Sequence, residues 1–378
     1  GRFKMLYQTH AEVNLQNISE NITNIRKAIG PEPKILIAVK ADAYGHGAVE
    51  VAKMAQEIGV DWLGIATVPE AVELREAGIT LPILKFSHLF EEEAETAINY
   101  NVTVAVSSVE NAEMLNKTAK SLNKICDVQV KIDTGMGRIG TSTDDASKLT
   151  DTILHGCSSL ALTGIFTHLP VSDDTNKAFT ERQITKFTKC VAEIEEKMQF
   201  KFPLVHCANS AGVLAHPASW LSMVRPGIMI YGFYPSSEIE HSINIKPALS
   251  FKTRVSFVKL VTKGNSIGYG RTWIAPEDAW VATFPAGYAD GFNRLFSNRG
   301  RVLINGSSYP VIGRVCMDQS MCLLGHTTDI KVGDEVVLIG KSGNEEITAY
   351  EWAEKLDTIT YEVTCQINKR VKRYYIKQ

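Results

Sequence analysis

The chain has 378 residues, with 40 basic and 42 acidic side chains and a formal net charge of -2. That near-balance gives no electrostatic reason to expect nucleic-acid or anionic-membrane binding, and no apolar run reaches the length of a membrane span. The length exceeds one ordinary core and predicts two domains, and a hydrophobic content of 44% is that of a folded globular protein.

No secretory signal opens the chain, so the expected location is the cytoplasm. Gly1-Arg2-Phe3 reads as a remnant of cloning, and a soluble domain cut from a longer protein is the other reading. The cysteines are Cys126, Cys157, Cys190, Cys207, Cys316, Cys322 and Cys365. Their odd number and the lack of CxxC spacing point to reduced thiols, not to a disulfide framework or a zinc site. No His/Cys/Asp cluster has metal spacing, so no metal is expected. His10, His88, His155, His216, His241 and His326 are scattered and read as ordinary surface or core residues.

From about residue 33 to 232 a short apolar strand, a polar turn and an amphipathic helix recur. The predicted strands are Ile35–Val39, Trp62–Ala66, Ile83–Phe86, Thr103–Val106, Val128–Ile132, Leu160–Thr167, Leu204–Cys207 and a last one near Met223 or Ile228. Predicted helices include Val49–Ile58, Pro69–Ala77, Glu91–Tyr100 and a long one within Asn176–Met198. Val51, Met54, Ala55 and Ile58 show the helical spacing. Such a series predicts an α/β fold, a (β/α)8 TIM-type barrel over residues 12–240. An open doubly wound sheet is the alternative, but it usually carries a GxGxxG turn after its first strand, and none is present.

Tyr234–Ile245 is polar and reads as a linker. Beyond it, Leu249–Leu260, Trp280–Phe284, Val302–Ile304, Pro310–Val315 and Glu335–Ile339 read as strands with Gly-rich turns. They predict a smaller, mainly β domain over 241–378, to which residues 1–11 add by pairing. A helix is expected from Thr348, where Thr348 and Glu351 have capping-box spacing.

Lys40 ends the apolar run Ile35-Leu36-Ile37-Ala38-Val39. In a barrel the C-terminal end of a strand faces the active site. A lysine there, among small residues, is placed to be desolvated and to offer the neutral amine that Schiff-base chemistry needs. Position alone leaves open a lysine that simply reaches solvent. The following Tyr44-Gly45-His46-Gly47 adds tight turns at Gly45 and Gly47 and a phenolic hydroxyl suited to a phosphate.

Seven motifs, in order, carry a family resemblance. They are Ala38-Val39-Lys40-Ala41-Asp42-Ala43-Tyr44-Gly45-His46-Gly47, Lys131-Ile132-Asp133-Thr134-Gly135-Met136-Gly137-Arg138, His206-Cys207-Ala208-Asn209-Ser210, Val224-Arg225-Pro226-Gly227-Ile228, Gly268-Tyr269-Gly270-Arg271-Thr272, Gly287-Tyr288-Ala289-Asp290-Gly291 and Gly313-Arg314-Val315-Cys316-Met317-Asp318. On them the chain closely resembles the alanine racemases, barrel enzymes that use pyridoxal 5'-phosphate (PLP).

The resemblance implies that Lys40 holds PLP as a Schiff base and is the base on one face of the substrate, with Tyr269 the base on the other. A phenol is a poor base at its ordinary pKa near 10. Tyr269 therefore needs a supporting donor, for which His206 is the expected partner. Arg225 is implied to face the pyridine nitrogen of PLP and to disfavour its protonation. Ser210, Gly227 and Ile228 are the implied phosphate binders, with hydroxyls from Tyr44 and Tyr361. A plain helix N-cap is the competing reading of Ser210. Arg138 is implied to orient the cofactor's phenolic oxygen and the substrate carboxylate, and His168 to lie near the cofactor ring. Leu169-Pro170-Val171 departs from the family's small-residue run and puts that loop's shape in question. Lys131 matches a position that is often carbamylated and would then hold Arg138. An unmodified lysine paired with a carboxylate is the alternative. Met317 and Asp318, near the substrate, and Tyr288 complete the implied set. With Tyr269, Met317 and Asp318 would enter the barrel of a second subunit, which makes a homodimer obligatory.

The expected substrate is alanine, possibly serine. Tyr361 would narrow the pocket, yet a hydrophobic pocket does not strongly reject an added hydroxyl. A serine or broad-specificity racemase is the first alternative. A decarboxylase needs no second base. A non-catalytic PLP carrier is the remaining one, and such carriers are typically lone barrels.

Overall fold

The computed structural model describes residues 4–376. Gly1-Arg2-Phe3, with its reading as a remnant, lies outside them. The chain packs as two units, one of Asn17–Ala43 with Gly47–Pro247, the other of Ala248 onward with the residues up to Gln16 and Tyr44–His46.

Strand β1 is His10–Asn14. The next eight strands are β2 (Lys34–Ala38), β3 (Trp62–Ile65), β4 (Ile83–Lys85), β5 (Val102–Val106), β6 (Cys126–Lys131), β7 (Leu160–Phe166), β8 (Leu204–Ala208) and β9 (Met223–Val224). They are parallel and form a closed barrel, in which β2 pairs with both β3 and β9. An open doubly wound sheet is thereby excluded. The strands are short apolar runs because both faces are covered; all of Val102–Val106 is buried. Between them lie helices with polar caps. Thr67 forms a full capping box with Glu70, and Ser108 and Ser142 accept from backbone amides three residues on.

Leu36, Leu84, Ala105, Phe166, Leu204 and Met223 cluster within the barrel, with Trp62 and Phe86 packed on them. Burying each large side chain contributes roughly 1.5–3 kcal/mol. Gly64 is required here, since a Cβ would lie 2.2 Å from the Phe86 ring.

The segment read as a linker belongs to the barrel unit. Ile239, Ile243 and Ile245 are buried, and Asn21 pairs with both the N–H and the C=O of Lys246 at 2.8 and 2.9 Å. Its isoleucines are separated by four residues and then by two, so no single helix or strand period runs through the stretch. The last barrel strand is Met223–Val224, and Ile228–Tyr231 is a 3-10 turn.

In the second unit β1 lies between Leu249–Arg254 (β10), antiparallel, and Lys372–Ile376, parallel. The predicted strand Leu249–Leu260 is in fact two, β10 and Phe257–Val261 (β11), in different sheets. Val255 donates to Asp334 O and Ser256 to Thr283 O, so the chain changes sheets between them. Pro310–Val315 is not a strand; Ser307–Pro310 pairs with Arg301–Ile304, and Gly313 has φ +73°. Ser320–Gly325 is a strand that the sequence reading missed. The Thr348 cap is half a capping box: Thr348 Oγ1 accepts from Glu351 N–H, but the Glu351 carboxylate is taken by Arg301 at 2.7 Å. Trp352 packs edge-on against Phe251, Phe292 and Phe296 at the core of this unit.

Candidate active site

The C-terminal ends of the barrel strands bring together Lys40, Phe86, Lys131, Phe166, His168, His206 and Arg225. Lys40 Nζ stands 6.0 Å from the Phe86 ring centroid. After it the backbone does something no propensity predicts: Ala41, Asp42, Ala43 and Tyr44 all have φ between 51° and 55°. A left-handed turn of non-glycine residues costs roughly 1–2 kcal/mol per residue. Local hydrogen bonds hold it. Glu70 Oε2 accepts from Ala41 N–H at 2.7 Å, while Glu70 Oε1 takes the amides of Ala66 and Thr67. Asp42 Oδ1 accepts from Ala48 N–H at 2.8 Å. The turn delivers Tyr44 to the second unit, where its ring lies 6.1 Å from that of Tyr361 and burial raises its pKa.

Arg225 is 6% exposed. Its Nη1 donates to His206 Nδ1 at 2.8 Å, and its Nη2 to Thr167 O at 2.9 Å and His168 Nδ1 at 3.3 Å. Burial, and to a lesser degree Arg138, lowers its pKa to about 10, so it remains a cation at neutral pH. His168 is pushed down to about 2, by burial first and then by Arg225, Arg138, Lys131 and Lys40. His206 lies flat on Phe166, ring centroids 4.8 Å apart, and burial then Arg225 hold it well below the usual imidazole range. Both imidazoles are therefore neutral.

His206 cannot be the support for Tyr269 expected from the sequence. It is wholly enclosed, its Nδ1 is taken by Arg225, and its Nε2 meets Gln129 Oε1 at 2.7 Å.

Lys131 is buried, with Nζ donating to Phe86 O at 3.1 Å and lying 5.4 Å from the Phe166 ring centroid. Burial, then Arg138, Arg225 and Lys40, lowers its pKa to about 7. Among the described residues no carboxylate pairs with it. Asp133, a nearby acid that favours its charge, is occupied by the amides of Gly135 and Gly137 at 2.9 and 3.0 Å. That clasp shapes the loop carrying the exposed Arg138.

Ser210 is not the cap of its helix. Asn209 is, accepting from Gly212 N–H at 3.0 Å. Ser210 Oγ instead accepts from Gly227 and Met229 N–H at 3.0 and 3.3 Å, so the Gly227 amide named as a phosphate binder is engaged by Ser210 in this structure. With both contacts accepted, the Ser210 hydroxyl proton is left to donate.

The second unit carries the other predicted residues. Tyr269 opens a 3-10 turn, Tyr269–Arg271, between Gly268 (φ +78°) and Gly270 (φ +71°), and is 73% exposed. Tyr288 N–H donates to Cys316 O and Ala289 N–H to Met317 O, so these two loops lie together and expose Tyr288 and Met317. Asp318 Oδ1 accepts from Arg370 Nη2 at 2.8 Å, and Arg370 also clamps the buried Asp290.

Comparison with known proteins settles the lineage. The N-terminal domain of alanine racemases matches residues 13–235 and their C-terminal domain matches 248–375. The chain is 46% identical to an alanine racemase of Cutibacterium acnes over 98% of each chain. The chain belongs to the alanine racemase family. Among solved structures it resembles an alanine racemase of Clostridium difficile at TM-score 0.94 and 39% identity, covering 99% of this chain and 97% of that one. It also resembles a histidine racemase of Leuconostoc mesenteroides at TM-score 0.90 and 26% identity, covering 100% of each.

As an enzyme this chain is an alanine racemase, and several of the groups that shape its barrel mouth are absent from the sequence reading. Gln129 was legible in principle: it is a polar residue two before Lys131 in the strand, hence on the same face. Glu70 was legible only as a helix cap; its grip on Ala41 depends on the fold. Phe86 and Phe166, legible only as strand residues, are the aromatic faces beneath Lys40, Lys131 and Arg225. Among the described residues no group of His, Cys, Asp and Glu is placed to hold a metal ion, and no helix is long and apolar enough to cross a membrane.

Proposed function

We propose that this racemase interconverts L- and D-alanine with PLP and two bases, Lys40 Nζ on one face of the substrate and Tyr269 Oη of a second copy on the other. The observation that carries the reading is the charge of the barrel mouth. Lys40, Arg138 and Arg225 lower the proton affinity of Lys131, and with Lys131 that of His168, while the counteracting acid Asp133 is committed to its own loop. Such a surplus of cations and N–H donors suits a ligand with a phosphate and a carboxylate.

Ser210, Gly227 and Ile228, with the hydroxyls of Tyr44 and Tyr361, would hold the phosphate. Arg225 would face the ring nitrogen and His168 the ring. Arg138, with Met317 and Asp318 of a second copy, would receive the substrate, and Tyr288 would support them. Lys131, whose amine is easily neutral, would back Arg138 with or without a carbamate. When bound, PLP supplies the electron sink that makes the substrate Cα–H acidic. Arg225, a permanent cation, disfavours a proton on the ring nitrogen and so moderates that sink. Lys40 Nζ and Tyr269 Oη each take or return the Cα proton on their own face. Since Nδ1 of His168 accepts from Arg225, its neutral ring carries the proton on Nε2, which makes His168 the imidazole available to support a phenolate.

The test is alanine racemisation in deuterium oxide by wild type, Lys40→Ala and Tyr269→Phe. Tyr269→Phe should lose about 10²–10⁴-fold in racemisation while one enantiomer still exchanges its α-proton with retention. Exchange of both enantiomers at wild-type rates would refute the two-base reading. The likeness to a histidine racemase shows that this fold serves more than one side chain. The same assay with L-serine therefore measures the alternative directly, as a ratio of kcat/KM values.

A further inference from the structure

Arg225 is held on one side by His206, and His206 in turn by Gln129. Gln129 is wholly buried on β6 and its Oε1 lies 2.7 Å from His206 Nε2. Room for it is made by Gly164 on the neighbouring strand β7, where a Cβ would come within 2.7 Å of the Gln129 amide carbon.

The proton positions follow from elementary valence. A guanidinium has only donors, so His206 Nδ1, at 2.8 Å from Arg225 Nη1, must be the acceptor. The neutral ring then carries its proton on Nε2, and that proton needs an acceptor. Gln129 supplies one only with its amide turned so that Oε1 faces the ring. The opposite turn would set an N–H₂ against an N–H. The cost is visible: Gln129 Nε2 is buried with no hydrogen-bond partner. An amide that leaves its own donor unsatisfied in order to point its oxygen at one imidazole is serving that imidazole.

We propose that Gln129 is a positioning residue for Arg225: by accepting from His206 Nε2–H it locks the ring in the one tautomer that can receive the guanidinium. This rests on the role assigned to Arg225 above. Without the acceptor, His206 is free to move its proton to Nδ1, where it opposes Arg225 and turns the guanidinium away from the mouth. Phe166, stacked on His206, fixes the plane of the ring but not its tautomer.

Nitrogen NMR of the PLP-loaded, histidine-labelled enzyme reads the tautomer directly, with His206 assigned by its absence from His206→Leu. In wild type Nε2 should carry the proton and Nδ1 none. Gln129→Met, similar in volume but with no strong acceptor, should show a mixture of tautomers. Its kcat should fall about tenfold or more, the equivalent of one oriented hydrogen bond, with KM little changed. In a His206→Leu background the same substitution should cost less than about twofold, because the path through His206 is gone. A proton on Nδ1 in wild type overturns the proposal, and that spectrum needs no variant to fold. So does a Gln129→Met enzyme with one tautomer and unchanged kcat, or a loss that persists in full without His206. The tautomer is read whether or not the chain racemises alanine, so this failure is separable from failure of the function itself.

Discussion

Lys131 shows at the scale of one residue how neighbours, not residue type, set chemistry. Its strand places it under cover, and burial with three cations brings its pKa from 10.5 to about 7. Because the folded pKa is the lower one, the unfolded chain binds the extra proton between about pH 7 and 10.5. Stability of the cofactor-free chain from this group therefore rises with pH across that window and has no pH slope below it. Lys131→Met should flatten that rise, measured as urea unfolding midpoints at either end of the window; an unchanged slope would place the titration elsewhere. His168 and Arg225 belong to the same electrostatic set. The link of Lys131 to Arg138 was implied by the family resemblance. That Lys131 also shares its space with Arg225 and Lys40 was not legible, because those residues follow different strands.

At the scale of elements, short β/α units were readable from apolar runs and helical spacing. The helix Ala48–Ile58 and strand β7 fall within a residue of expectation. The left-handed turn after Lys40 was not readable, since its alanines give no signal for it and the grip of Glu70 on Ala41 comes from a distant part of the chain. The N-terminal strand β1 supplies an acid-sensitive joint. The Glu12 carboxylate is held at about 2 instead of 4.5, chiefly by the hydrogen bond from His10 and then by Lys252, against the opposing effect of burial. Lys252 lies on β10, so the pair ties two adjacent strands. The folded pKa is the lower one, so this stabilisation is complete above about 4.5 and disappears as pH falls through about 2. Glu12→Gln should lose it at neutral pH and show a shallower acid-unfolding profile; if the profile is unaltered, the pairing contributes nothing.

For the whole molecule the decisive question is which chain's Tyr269 serves which Lys40. The exposure of Tyr269 and Met317 in a single chain supports their use by a second copy. Mixing Lys40→Ala and Tyr269→Phe chains answers it. A mixed dimer has one site with Lys40 from one chain and Tyr269 from the other. Co-refolded chains in equal amounts should regain about a quarter of wild-type activity by random pairing of two identical partners. No recovery would mean that each chain uses its own tyrosine.

The order of motifs was enough by itself to indicate the family, and the recurring apolar runs and helical spacings to indicate the barrel, because these are local features; Lys40 and Tyr269 as the two bases are what the family resemblance implies. Tertiary structure decided what those residues experience. It moved His206 from a partner of Tyr269 to an enclosed link between Arg225 and Gln129, and made Asn209, not Ser210, the helix cap. It also placed an apparent linker in the barrel unit. Each of these turns on contacts between residues far apart in the chain, where hydrogen-bond valence and desolvation, not sequence spacing, choose the partner.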